Sequence, residues 1–183
     1  FRLRNIADEH ERLRHCLIRA RELASSVPLP EAEGHGRGYA CGIYERDSFV
    51  AVSADVHVDR ASGEISVLRM CCAQDVGLAI NPDQLRAQVE SNLIWGIGMA
   101  LMEKVEVDGN GVSSTNFDTY RIPRISHAPE FEIEIVRNPG SAPAGAGETA
   151  LIAAAPAIVN AVFDGTGIRY TRLPLSVGGL TQV

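Results

Sequence analysis

The stretch with the clearest capacity for chemistry is Pro143-Ala144-Gly145-Ala146-Gly147-Glu148-Thr149-Ala150, which sets one carboxylate directly after a run of small residues. Glycine is used where backbone must approach a ligand or take φ > 0, so Gly145, Ala146 and Gly147 offer nearly bare main chain beside an acid. The run that follows, Leu151 to Phe163, is apolar and alanine-rich. A glutamate at the mouth of such a segment loses part of its water shell. That raises its pKa and makes it a usable proton acceptor near neutral pH. The same residues also read as a plain turn ended by Gly147, with Glu148 in a helix's first turn, where the dipole favours an acid. A second candidate is Gln88, because a buried amide must find hydrogen-bond partners. Those partners are either loop carbonyls or a polar cofactor.

The elements that position these residues follow from periodicity. Leu85, Val89, Leu93, Ile97 and Leu101 recur every four residues behind Asn81-Pro82, a good N-cap and first helical position. This predicts one long buried helix from there to about Lys104. Gln84, Gln88, Asn92 and Trp95 share an adjoining stripe of it. Gly96 and Gly98 each cost a helix about 1 kcal/mol relative to alanine, which close packing would offset. Upstream, Leu13, Cys16, Leu17, Ala20, Leu23, Ala24 and Val27 repeat at helical spacing behind an Asp8 cap, with Arg12, Arg14, Arg19 and Arg21 read as a solvated outer face. Pro28 and Pro30 stop this helix.

From Tyr39 the period shifts to two. Tyr39–Tyr44, Phe49–Val58 and Ile65–Cys72 read as antiparallel strands, with Ser53, Asp55 and His57 alternating against apolar neighbours. Asp108-Gly109-Asn110-Gly111 marks a further hairpin and Phe131–Val136 a further strand. After Glu148, Pro156 is expected to start a helical segment through Phe163, closed at Asp164-Gly165. Thr171–Leu175 reads as a short strand or extended arm. The fold class is α+β, a mixed or antiparallel sheet with packed helices. Residues 1–33 are expected to form an N-terminal helix and linker, and 34–183 the main domain.

Composition narrows the function. A net charge of −6 over 183 residues argues against nucleic acid or an anionic membrane surface as a partner. No apolar run reaches the roughly 18–20 residues of a membrane helix. The chain begins at Phe1, close to a charged helix, and we expect it to be a piece of a longer one. Cys16, Cys41, Cys71 and Cys72 form no CxxC pair and no zinc spacing with His10, His15, His35, His57 or His127, so buried thiols and no metal-ligand set are expected. Gly34-His35-Gly36-Arg37-Gly38 lacks both the dinucleotide-binding glycine spacing and the Gly-Lys-Ser/Thr ending of a phosphate loop. Its glycines are read as admitting the chain to a sheet edge.

Asp75-x-Gly77, Asn81-Pro82, Gln88-Val89-Glu90, Asn116-Phe117-x-x-Tyr120 with Pro123, Gly145-Ala146-Gly147-Glu148, Pro156-Ala157-Ile158-x-Asn160-Ala161 and Leu173-Pro174 occur here in one order. In that order they resemble the molybdenum hydroxylases, the xanthine dehydrogenase and aldehyde oxidase family, from about Gly34 to Leu175. Within that family the pattern is most similar to the large subunit of isoquinoline 1-oxidoreductase and related membrane-associated aldehyde dehydrogenases. One departure is Ser91, which stands where the family's Gln-Val-Glu-Gly form has glycine.

The resemblance implies the carboxy-terminal part of a molybdopterin-binding domain, with Glu148 as the catalytic base. It makes Gln88 the cofactor-contacting glutamine and Gly145, Ala146 and Gly147 the approach to the metal. It further implies a molybdenum–molybdopterin cofactor, extended as molybdopterin cytosine dinucleotide, and an aldehyde or N-heterocycle as the small-molecule substrate. Water would be the oxygen source and a 2Fe-2S small subunit the electron acceptor. The remaining N-terminal part of the large subunit would be a further partner, without which this piece is expected to be inactive. A bacterial periplasmic, membrane-associated or cytoplasmic location is left open. The rival expectation is a truncated or split subunit with an assembly role and no molybdenum.

Overall fold

The structure is a computed structural model describing residues 1–175. A short helix α1 (Arg2–Asn5) and a single 3-10 turn (Asp8–His10) lead into α2 (Glu11–Ser25). Three long strands follow: β1 (His35–Tyr44), β2 (Ser48–Val58) and β3 (Ile65–Asp75). Helix α3 (Pro82–Leu101), a small hairpin of β4 (Val107–Asp108) and β5 (Gly111–Val112), a second 3-10 turn (Ile125–His127), strand β6 (Glu130–Ile135) and helix α4 (Leu151–Thr166) complete the order.

The main sheet runs β1-β2-β3-β6. β1, β2 and β3 form antiparallel pairs, whereas β6 lies parallel to β3. Parallel neighbours need a crossover, and α3 with the segment after it supplies one. The sheet is therefore mixed. Its two faces are both covered. On one, Leu13, Cys16, Leu17 and Ala20 of α2 pack on Phe49, Ala51 and Ala73. On the other, Val89, Leu93 and Ile97 of α3 and Ala154, Ala157, Ile158 and Ala161 of α4 pack on Val50, Val52, Val56 and Cys72.

This double covering buries polar residues of β2: Ser53 and Asp55 lie beneath α2's side of the sheet, and Asp55 receives both arms of the Arg37 guanidinium at 2.5 and 2.6 Å. It also corrects one expectation, since the arginines of α2 are not a merely solvated face. Arg12 makes a two-bond fork with Asp75 at 2.9 and 2.5 Å, Arg14 donates to the carbonyls of Leu3 and Ile6, and Arg19 bonds Glu134 at 2.7 Å. The helix crosses the sheet near strand ends that carry carboxylates, so its long cations meet them. Asp8 makes no cap bond; its carboxylate lies exposed, 3.6 Å from Arg14.

Asn81 accepts from the amide of Gln84 with Pro82 at the first helical position, as its type and place predict. α3 ends at Leu101 rather than near Lys104, because the amides of Met102 and Glu103 both turn back to the carbonyl of Gly98. Pro156 does not start α4; it lies inside it, and the left-handed cap is Gly167 rather than Gly165. An interior proline costs a helix about 3 kcal/mol. Complete burial of Ile158 and Val162, at about 1.5–3 kcal/mol each, is enough to offset that.

The glycines of β1 explain how α4 seats. A Cβ on Gly38 would stand 2.1 Å from the Ala161 nitrogen and 2.2 Å from the Ala157 carbonyl oxygen, and one on Gly36 2.1 Å from the Ala161 carbonyl oxygen. The helix lies directly on strand backbone. Gly96 plays the matching part between helices, since a Cβ there would meet that of Ala154 at 2.3 Å. From Gly167 to Leu175 the chain forms no helix or strand, so the strand expected over Thr171–Leu175 is not formed, and the Leu175 amide bonds the Ala100 carbonyl.

Candidate active site

The loop from Ala142 to Ala150 runs between β6 and α4 and is tied along its length. At its start, the Ala144 amide donates to the Val76 carbonyl and the Leu78 amide to that of Ser141. The turn that presents Val76 is itself built by Asp75, whose carboxylate accepts from the Gly77 amide at 2.8 Å, with Gly77 at φ +73. Burial pushes the Asp75 carboxyl up, but the bonds from Arg12, Gly77 and Asn138 outweigh it and hold the group below the usual carboxylate range.

Residues 145–149 are gripped at four points. The Gly147 carbonyl accepts from Gln88 Nε2 at 2.7 Å and from Asn92 Nδ2 at 2.8 Å, and that Asn92 nitrogen also bonds the Gln88 carbonyl at 2.7 Å. The Thr149 hydroxyl donates to the Gly145 carbonyl at 3.2 Å, and the Ser48 hydroxyl lies 2.8 Å from it. Because Thr149 has one proton and a carbonyl can only accept, Ser48 is the donor in that pair. Both hydroxyls are buried. Finally, the Tyr44 hydroxyl donates to Glu148 Oε2 at 3.2 Å.

Of the residues singled out by sequence, Gln88, Gly145, Ala146, Gly147 and Glu148 come together on one surface, with Gln88 on α3 reaching the peptide that precedes Glu148. Glu148 itself is exposed. The desolvation expected for it is not supplied by residues 1–175, since among the described residues no apolar wall closes over the carboxylate. A groove of about 430 Å³ lined by Leu78, Pro82, Ile135 and Asn138 does not include it. Sequence reasoning missed Tyr44, Ser48 and Thr149. Nothing in a strand-end tyrosine or serine signals a partner about a hundred residues away. Asn92 was visible on the Gln88 stripe, one turn on, and that spacing is the signal for its shared grip.

Among the described residues no group of three or more side chains is placed to hold a metal ion. The four cysteines are free thiols. Burial pushes Cys16 up to about 12 and Cys72 well above its ordinary value, which suits packing rather than ligation.

Residues 22–129 match the family described as molybdopterin cofactor-binding domain. The chain belongs to this family, within the molybdenum hydroxylases. Gln88 lies inside the matched residues, and the loop bearing Glu148 lies beyond them. The chain is 32% identical to a nicotinate dehydrogenase component of Pseudomonas putida, a match covering 96% of this chain and 16% of that protein. It is 36% identical to the beta subunit of isoquinoline 1-oxidoreductase of Brevundimonas diminuta, covering 76% of this chain and 18% of that one. Among solved structures, the aldehyde oxidoreductase of Desulfovibrio gigas aligns with a TM-score of 0.63 at 30% identity, over 72% of this chain and 15% of its own. This chain thus spans about a sixth of the length of the curated relatives it matches.

Proposed function

We propose that this chain carries the base and part of the cofactor cradle of a molybdopterin-dependent hydroxylase acting on an aldehyde or an N-heterocycle. The observation that carries the reading is the bond from the Gln88 amide to the Gly147 carbonyl. It brings the Gln88 side-chain amide to the peptide that joins Gly147 to Glu148. When bound, the molybdenum cofactor supplies the two-electron oxidation of a C–H carbon, with water as the source of the inserted oxygen.

Two features of the loop support the fit of such a group. Neither Gly145 nor Gly147 takes a positive φ, and a Cβ on Gly147 would meet nothing within 4 Å. Neither the backbone conformation nor packing within residues 1–175 therefore calls for the glycine at 147, and space for a bulky ligand is a physical reason for it. In addition, Gln88 uses one N–H on Gly147, so among the described residues its carbonyl oxygen and second N–H remain for a ligand.

In this reading Glu148 takes the proton released as the oxygen nucleophile forms, Gln88 holds the cofactor by its remaining amide edge, and Gly145-Ala146-Gly147 keep side chains out of its space. The cofactor is the cytosine dinucleotide form, electrons leave to a 2Fe-2S small subunit, and the rest of the large subunit covers Glu148 and removes its water. The isolated chain is then inactive. The exposure of Glu148 is also what a non-catalytic split subunit would show, and one experiment separates the two. Metal and nucleotide analysis of the complete large subunit assembled with its iron–sulfur partner, followed by an aldehyde and N-heterocycle screen, should find molybdenum, a cytosine nucleotide and turnover of one class. A folded assembly without molybdenum would favour the assembly role.

A further inference from the structure

The turn between β1 and β2 sits against the loop that carries Glu148, at contacts the catalytic reading does not use. Its residues Glu45 and Arg46 hold φ values of +48 and +74, both left-handed and both unfavourable for a residue with a Cβ. That conformation is kept at a point flanked by two contacts. On its N-terminal side, Tyr44 donates to Glu148 Oε2 at 3.2 Å. On its C-terminal side, Ser48 donates to Thr149, the residue after Glu148. Between them, Glu45 Oε2 lies 3.4 Å from where a Cβ on Gly145 would stand.

We infer that the end of the β1–β2 hairpin is the positioning device for Glu148, with Tyr44 as the residue that orients its carboxylate. This rests on the reading of Glu148 as the base. A carboxylate free to rotate offers either oxygen to the incoming proton. The hydroxyl of Tyr44 occupies Oε2 and leaves Oε1 as the acceptor. The charged groups bearing on Tyr44 are Glu148 first and Glu45 second, and together they push its phenol pKa upward.

Two measurements test this. In the full 183-residue chain labelled with [13Cζ]tyrosine, the Tyr44 signal is assigned by its loss in Tyr44→Phe. Its titration midpoint should drop toward the ordinary tyrosine value in Glu148→Gln, and drop less in Glu45→Gln. In the holoenzyme, Tyr44→Phe should lower kcat, and the kcat/KM profile with it, by about tenfold or more, the scale of one hydrogen bond to a charged group, with KM little changed. A Tyr44 midpoint indifferent to Glu148→Gln, or a Tyr44→Phe profile superimposed on wild type, overturns the inference. Full turnover in Glu148→Gln would instead remove the base assignment while leaving the measured Tyr44–Glu148 coupling intact, so the two failures are distinct.

Discussion

At the scale of single residues the site is held by polar contacts more than by packing. Gly147 accepts from two side-chain amides, one exposed (Gln88) and one buried (Asn92). Their removal should therefore be unequal. Asn92→Ala should cost about 1–3 kcal/mol of stability, since it strips a buried bond and leaves a hole, while Gln88→Ala should cost about 0.5–1.5 kcal/mol. Urea denaturation midpoints for both variants and their double mutant would check this, and a positive coupling is expected because both donors share one oxygen. Asp75 gives the pH dependence. Its folded pKa is depressed, so its contribution is present above the unfolded value of about 4 and is lost as pH falls through the folded value. Thermal midpoints between about pH 2 and 6 should fall less steeply in Asp75→Asn than in wild type. Parallel curves would show that Asp75 is not part of the acid limb.

At the scale of elements, the seating of α4 on β1 aims the loop before it. Gly38→Ala would drive a methyl into the backbone of Ala157 and Ala161, and overpacking of this kind costs about 1–3 kcal/mol or more. A lowered thermal midpoint together with a less stable 145–149 loop in hydrogen exchange is the expected result. An unchanged midpoint would mean the helix can lift without cost. The strands, the Asn81-Pro82 helix start and the Asp108–Gly111 hairpin were legible because each is written in local periodicity or turn chemistry. The course of α4 through Pro156 was not, because burial against the sheet outweighs a local breaker. The fate of the α2 arginines was not legible either. Their partners Asp75 and Glu134 come from strands far along the chain, and helical spacing says nothing about where a strand ends. Within the site, Gln88 and the Gly145–Glu148 loop could be picked out from types and order. The hydroxyls of Tyr44, Ser48 and Thr149 could not, since only the tertiary approach of the hairpin to the loop gives them partners.

At the scale of the whole molecule, the sheet is closed on both faces while residues 1–175 leave the candidate site open. Proteins matched over this chain are about six times its length, and the proposed cover over Glu148 belongs to that additional protein. It follows that the 183-residue chain, expressed alone, should be folded by circular dichroism and free of molybdenum by elemental analysis. Stoichiometric metal in the isolated chain would mean the cradle is complete without a cover. No helix among the described residues is long and apolar enough to cross a membrane.

The role of Glu148 underlies every catalytic statement made for this chain, and the most direct test is Glu148→Gln in the complete enzyme, read simultaneously for turnover and for bound molybdenum. The substitution keeps the size of the side chain while removing the proton acceptor. A catalytic base at this position requires kcat to fall by about 10²–10⁴, the usual contribution of a positioned general base, with molybdenum content at the wild-type level. Turnover within a few-fold of wild type at full metal occupancy would contradict it.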